Sequence, residues 1–358
     1  MLSTGPHKWD VALLWTMPVW LSIAADWLSP QATQTRRSLK DVEYHALLYV
    51  HAASQLASIY LLLKLTTELQ WGTWADLGAS CANVAAMRVL TGTTSCCSGI
   101  ATAHELIHRP QRHLRMLSRM LLWTVLYDHF AIAHTAGHHR HAGTDRDFST
   151  ARLDETFNPF CRRSMTDQFS FAWRYESLRI KDNAGLMSYS DHRVLKGTLT
   201  QCLLIGLILH VFGWAALAMF FYQAITSVRL LEAVNYFQHW GLGERADANG
   251  LSMAWSNTSW FSQYSLLGLP LHVDHHMRPH MPFHVLRQLK DGPVLPYGYY
   301  LMANLIRISN SRFRHLAKQE LHSKCLIHQF GENSADIGIE HSGNASRSIL
   351  FNSSERPS

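Results

Sequence analysis

Charge is scarce in this chain. Asp, Glu, Lys and Arg make up 16% of its 358 residues, against about 25% in an ordinary soluble domain, while 47% are hydrophobic. That shortage argues against two water-soluble domains and for one membrane body. Cysteine is sparse and never paired in sequence: Cys81, Cys96, Cys97, Cys161, Cys202 and Cys325 form no CxxC. Neither a zinc knuckle nor a disulfide framework is expected, only buried thiols in a reducing or lipid setting. Motifs for NAD, flavin or haem are missing as well. The net charge is +6, but Lys and Arg sit in short loops between apolar runs and form no continuous basic face, so nucleic acid is not an expected partner. No signal peptide is evident, because the first apolar run contains Asp26 and lacks a small-residue cleavage site. That run is expected to remain as an anchor.

What the chain has in quantity is aromatic and apolar sequence. Twelve Trp and twelve Tyr suit the membrane interface. Runs at 10–28, 45–65, 76–103 and 197–234, the last split near Gly213, are apolar enough for helices that cross a bilayer, which takes about twenty residues each. The expected fold is therefore all-α, with about four to six membrane spans. A mean hydropathy of -0.07 implies that nearly half the chain lies outside lipid. The basic loop 36–40 and the Lys- and Arg-free stretch 66–75 put the first loop in the cytosol and the second across the membrane. Residues 114–133 read as one interfacial or re-entrant helix, with Arg115 and Arg119 suited to headgroup contact. Residues 140–195 read as a cytosolic insertion. The membrane domain is expected to span residues 1–308, and 309–358, polar and without periodicity, to form a disordered cytosolic tail.

Four histidine clusters stand at the expected cytosolic ends of these helices. His104-Glu-Leu-Ile-His108 places two imidazoles on one helical face. Taken alone, this HExxH motif suggests a zinc peptidase with Glu105 activating water. His134-Thr-Ala-Gly-His138-His139 repeats the spacing, and Gly137 is expected to loosen the backbone so that all three rings converge. The third cluster is Asn235-Tyr-Phe-Gln-His239-Trp-Gly-Leu242, and the fourth is His272-Val-Asp-His275-His276. A single histidine on an apolar face is usually a satisfied core residue, but four clusters meeting at one membrane face point to metal. Nine imidazoles suit two ions, and imidazole without thiolate favours iron, zinc or copper. Zinc with so many ligands would have no open position. A pair of irons binding O2 at a membrane face suggests oxidation of a lipid-like substrate.

At these residues the chain resembles the membrane-bound non-haem di-iron alkane 1-monooxygenases, within the integral-membrane fatty-acid desaturase and hydroxylase superfamily. The similarity extends to GHHRHAGTDRDFSTAR (137–152) and to LPLHVDHHMRPHMPFHVLRQLKDGPVLPYGY (269–299). It covers roughly residues 75–305. The resemblance implies iron ligation by His104, His108, His134, His138, His139, His239, His272, His275 and His276. It also implies cytosolic helical extensions that hold two irons, and O2 as co-substrate. The substrate would be apolar and enter from the bilayer. Electrons would come from a rubredoxin, a ferredoxin or a cytochrome b5.

The chain departs from the family pattern at Ala133, Gln238 and Trp240. With carboxylates missing from two of these places, Glu105, Asp145, Asp147 and Asp274, together with Gln238, become the candidates to orient the ligands. His129, His141, His280 and His284 read as bystanders, while Trp15 and Trp20 could narrow a channel. The expected activity is hydroxylation of an unactivated C–H bond in an alkane- or fatty-acyl-like molecule. Desaturation or another oxidative tailoring step, and zinc-dependent intramembrane proteolysis through HELIH, are the alternatives. The expected location is the endoplasmic reticulum membrane in a eukaryote or the inner membrane in a bacterium, with the active site in the cytosol.

Overall fold

The computed structural model describes residues 1–32, 39–183, 189–242, 253–289 and 293–336. Among them the regular structure is helical, and β pairing is limited to two isolated bridges, Gln31 with Ser259 and Ser256 with Val294. The all-α expectation holds. The basic loop 36–40, on which the cytosolic assignment was based, lies largely outside the described residues, as do residues 337–358.

The first apolar run does not make one span. It breaks into α1 (Trp9–Leu14) and α2 (Met17–Trp27), with Pro18 in the first turn of α2, where a missing N–H is tolerated but continuation from a preceding helix is not. The α2 helix rises roughly 16 Å, about half the hydrocarbon thickness.

Helix α3 (Asp41–Thr67) follows, then α4 (Trp74–Thr94). Helix α4 opens with a capping box in which Thr73 and Asp76 satisfy each other's backbone N–H groups at 3.1 and 3.2 Å. It continues through a π-helical turn, Ser95–Ile100, into α5 (Ala101–Ile107).

The expected break at Gly213 is present. Helix α10 (Arg193–His239) holds Gly213 at φ 78 and ψ -177, a conformation that side-chain-bearing residues avoid and glycine adopts freely. Arg193 and Gln223 would be roughly 45 Å apart on a straight helix. Yet the Arg193 carbonyl accepts from Arg119 at 2.9 Å and the Gln223 amide donates to the Thr124 carbonyl at 2.7 Å. The chain therefore doubles back at the glycine. Helices α3 and α10 are the two among the described residues that are long and apolar enough to cross a membrane. Both leave large apolar side chains uncovered, among them Val50 and Tyr60 on α3 and Leu203, Val211, Trp214 and Ile225 on α10. Apolar exposure on that scale suits lipid.

Residues 114–133 are not one helix. Helix α6 (Arg112–Trp123) ends in a tight turn with Leu126 at φ 55, followed by α7 (Phe130–Ile132), a second π-helical turn (Ala133–His138) and α8 (His139–His141). Arg119, assigned above to lipid headgroups, instead staples this turn by donating from Nε to Asp128 at 2.8 Å. Arg115 likewise caps the Arg109 carbonyl at 2.9 Å. The turn reverses the chain, which returns the second histidine cluster to the first.

Beyond it, α9 (Phe157–Asp182) is bound to the start of α10 by the buried Glu176 carboxylate, held between Arg179 and Arg193. Short helices α11 (Trp260–Ser265) and α12 (His272–Met277) precede α13 (Tyr299–Ile308). The buried Asp26 carboxylate caps α13, accepting from the backbone N–H groups of Tyr300 (2.9 Å) and Leu301 (3.2 Å) and from the Ser259 and Ser262 hydroxyls at 2.6 Å.

The domain boundary at 308 needs correction. Residues assigned to a disordered tail form α14 (Asn310–Asp336), with Phe313, Ala317 and Leu321 fully buried. Their spacing of four residues makes one apolar stripe, and Phe313 packs on Trp240 and Tyr236.

Candidate metal centre

The nine histidines come together in two groups. His104, His108, His134, His139 and His275 form one, and His138, His239, His272 and His276 the other; within each, one nitrogen per ring lies within 4.8 Å of all the rest. In the first group, Nε2 of His139 stands 2.9 Å from Nε2 of His134 and 3.2 Å from Nε2 of His275. In the second, Nε2 of His272 stands 3.1 Å from that of His239 and 3.0 Å from that of His276. Neighbouring donors around an ion at a metal–imidazole distance of about 2.1 Å would be about 3 Å apart, so the spacing fits coordination. The buried Nε2 atoms of His104 and His108 also have no hydrogen-bond partner among the described residues, an arrangement that is costly unless something else accepts their lone pairs.

The two π-helical turns account for much of this convergence. One runs directly into α5, which carries HELIH, and the other spans Ala133–His138, and such turns widen a helix locally and often mark functional sites. Gly137 was expected to free the backbone, but it lies within the helical turn and plays a different part. A Cβ there would come within 2.8 Å of the Phe148 ring and 2.9 Å of the Phe171 ring. The glycine permits close packing, and the π turn changes the path of the chain.

Burial favours the neutral form of several of these rings. Burial, reinforced by neighbouring imidazoles, pushes His134, His272, His275 and His276 well below the usual histidine range, and His139 down to about 2. Neutral imidazoles offer lone pairs to a cation at ordinary pH.

The family pattern for fatty acid desaturases matches residues 79–304. The chain belongs to the fatty acid desaturase family. It is 33% identical over 224 residues to alkane 1-monooxygenase 1 of Pseudomonas aeruginosa, a stretch covering 61% of this chain and 58% of that protein. It is 32% identical over 213 residues to an alkane 1-monooxygenase of Acinetobacter baylyi, covering 57% and 52%. The hydroxylase component of a xylene/toluene monooxygenase from Pseudomonas putida is 24% identical over 203 residues, covering 56% and 55%. The chain thus spans between half and three-fifths of the length of these relatives.

In this desaturase-family chain the five residues proposed to support the histidines have different surroundings. Asp147 is buried, and its Oδ2 lies 2.9 Å from His138 Nδ1. The same carboxylate also accepts from the Thr150 hydroxyl at 2.7 Å and the Ser149 N–H at 3.0 Å. Burial raises its pKa, but the His138 and His239 imidazoles and the Ser149 N–H together outweigh burial and draw it below the ordinary carboxylate value. Asp145 is exposed and borders a surface hollow that Asp147 also lines. Glu105 turns away from the rings of His104 and His108, accepting from the Tyr44 hydroxyl at 2.6 Å and the Phe283 N–H at 3.2 Å, with Arg109 at 3.5 Å. Gln238 donates to the Tyr299 hydroxyl at 2.9 Å. Asp274 holds Arg278 and accepts from the Arg287 N–H at 2.7 Å. Of the five, Asp147 alone touches one of the nine rings among the described contacts.

Three contributors were not singled out from sequence. The Met253 carbonyl lies 2.8 Å from His239 Nδ1; a carbonyl can only accept, so Nδ1 carries the proton and Nε2 faces His272 with its lone pair. Arg109, directly after HELIH, donates to the carbonyls of His280 (2.8 Å) and Met281 (3.1 Å), tying the first cluster to the loop after the fourth. Glu232, two turns before His239, is fully buried and accepts from Gln168 at 2.9 Å and the Tyr127 hydroxyl at 3.1 Å. Position beside a motif was the available signal for Arg109; the Met253 carbonyl left none. His129, His141, His280 and His284 join neither group.

An apolar cavity of ≈ 200 Å³ ends at the rings of His104, His134 and His272. Trp20 and Ile23 of α2, Ile100 before α5 and Leu231 of α10 are among its walls. Trp20 borders it, while Trp15 is not among its lining residues.

Proposed function

We propose that this chain is an O2-dependent di-iron monooxygenase that hydroxylates an unactivated C–H bond of an alkane- or fatty-acyl-like substrate. The observation that carries the reading is the position of two converging imidazole groups at the end of an apolar cavity. The activity named for the alkane 1-monooxygenase relatives supports it. His104, His108, His134, His139 and His275 would hold one ion, and His138, His239, His272 and His276 the other. Bound iron would supply O2 activation: one oxygen atom enters the C–H bond, and the other leaves as water with two protons and two electrons from a separate carrier protein of rubredoxin, ferredoxin or cytochrome b5 type.

The protein's own contribution is placement. Asp147 and the Met253 carbonyl fix the tautomers of His138 and His239, leaving both Nε2 atoms free to bind metal. The apolar walls exclude water and aim a single carbon at the rings. Glu105 is already taken up by Tyr44, Phe283 and Arg109, which speaks against its serving as the water-activating base of a zinc peptidase. Four to six spans, with the histidine groups on the cytosolic side of an endoplasmic reticulum or bacterial inner membrane, complete the reading.

The test is purified protein assayed for metal content and incubated with reductant, O2 and apolar substrates, with products read by mass spectrometry. Two irons per chain and a product heavier by one oxygen are expected. A product lighter by two hydrogens would transfer the site to desaturation. Stoichiometric zinc without oxygen uptake would remove the proposal.

A further inference from the structure

The apolar cavity has a cationic end that the histidines do not explain. Arg88 of α4, Thr226 of α10 and Asn304 and Arg307 of α13 line it together with the apolar walls. Arg88 and His104 share one continuous helical run and lie roughly 24 Å apart along it. Arg307 lies roughly 12 Å along α13 from Tyr299, which also lines the cavity and bonds Gln238 beside His239. The guanidiniums therefore stand at one end and the imidazoles at the other.

Neither arginine has an acidic partner among the described ion pairs. Among the described contacts Arg88 has neutral partners, a long 3.4 Å donation to the Thr226 hydroxyl and a seat 4.7 Å from the Tyr222 ring centroid. Arg229 nearby is occupied by Asn158 at 2.9 Å and by the Phe157 ring. Burial and the like charges of Arg88 and Arg229 make Arg307 less basic than usual. Arg88 is half-buried and Arg307 keeps much of its side chain in solvent; the two like charges repel each other beside one apolar cavity, and a plain hydrocarbon would offer them no counter-charge. A carboxylate fits the forked donors of two guanidiniums, and a carboxylate on a hydrocarbon tail fits the remainder of the cavity.

We infer that the cavity selects a fatty carboxylate, its head held between Arg88 and Arg307 and its far end delivered to the histidines. The assignment rests on the hydroxylase reading for the reacting end only. It makes these two arginines determinants of substrate class and of the position of attack, which falls on carbons remote from the head.

Binding tests the inference without turnover. Full-length iron-loaded protein in a nonionic detergent is titrated with hexadecanoate, its methyl ester and hexadecane, with no reductant present. The wild type should bind hexadecanoate about tenfold or more tighter than the ester, as a charge-assisted contact implies. The double variant Arg88→Gln, Arg307→Gln should lose that preference while keeping its iron and its affinity for the ester. Arg312→Gln, on the exposed face of α14, should behave as wild type. Equal binding of acid and ester by the wild type, or a preference that survives in the double variant, overturns the inference. Displacement of hexadecanoate by an equal concentration of phosphatidic acid assigns the arginines to lipid headgroups and overturns it too. Protein that prefers hexadecanoate but never oxidises it defeats the hydroxylase reading alone, and protein that oxidises alkane without any acid preference defeats this one alone.

Discussion

The Asp147 carboxylate and the His138 imidazole meet at 2.9 Å with both side chains buried. The pair fixes which ring nitrogen carries the proton, and it does so for a histidine of the four-membered group. Asp147→Asn is expected to weaken metal binding at that group about 10–100-fold, as measured by competition with a chelator. Asp145→Asn, two residues away and facing solvent, should leave affinity unchanged. Equal effects of the two substitutions would remove the orienting role.

The two groups should respond unequally to loss of a ring. His276→Ala leaves its group with three donors, whereas His108→Ala leaves its group with four. Elemental analysis after dialysis should show the first variant losing one ion of the pair and the second retaining both with reduced affinity. Identical retention in both variants would contradict the five-and-four partition.

Gly137→Ala should destabilise the protein by about 1–3 kcal/mol through overpacking, because the added Cβ meets two aromatic rings at less than 3 Å. Thermal unfolding in detergent reads the loss. Adding Phe148→Leu should recover part of it, and a double variant no more stable than the single one would show that the backbone, not the ring, is what excludes a side chain.

Glu176 predicts an acid-sensitive junction between α9 and α10. Burial alone would raise its pKa, but the hydrogen bonds from Arg193 and Arg179 dominate and lower it from 4.5 to about 2. A carboxylate depressed in the folded state stabilises the fold above its unfolded pKa, and that contribution fades as pH falls. Stability should therefore decline between pH 4.5 and about 2. Glu176→Gln should start lower at neutral pH and show a flatter slope, followed by unfolding at a series of pH values.

Gly213→Ala tests the reversal within α10. Holding a side chain at φ 78 costs about 1–2 kcal/mol, so the variant should give less folded protein, while Gly206→Ala, in an ordinary helical turn with open space around it, should not.

How much of this was readable beforehand depends on the range of the interaction involved. Three histidine pairs, His104 with His108, His134 with His138 and His272 with His276, were legible because spacing of four residues is a local property of helices, the full nine came with the family resemblance, and Gly213 was legible because it interrupts a run too long for one span. Partners for those histidines were not, since tertiary packing selects them. Asp145 and Asp147 look alike in sequence, yet one faces solvent and the other a ring. The break at Pro18 and the reversal at Leu126 cut across runs that hydropathy alone would continue. Helix α14 was hidden by its polar average, although Phe313, Ala317 and Leu321 carried the periodicity of a packed face.

The π-helical turns also set a limit on editing the chain. Each accommodates one residue more in a turn than a regular helix would, so the extra residue is absorbed without rotating what lies downstream. Adding a further residue within 95–100, with no further widening to absorb it, would swing His104 and His108 by about 100° around the axis and away from their three companions, whereas deleting one would give back an ordinary helix. The same arithmetic applies to 133–138, so length, as much as composition, is constrained in these two six-residue stretches.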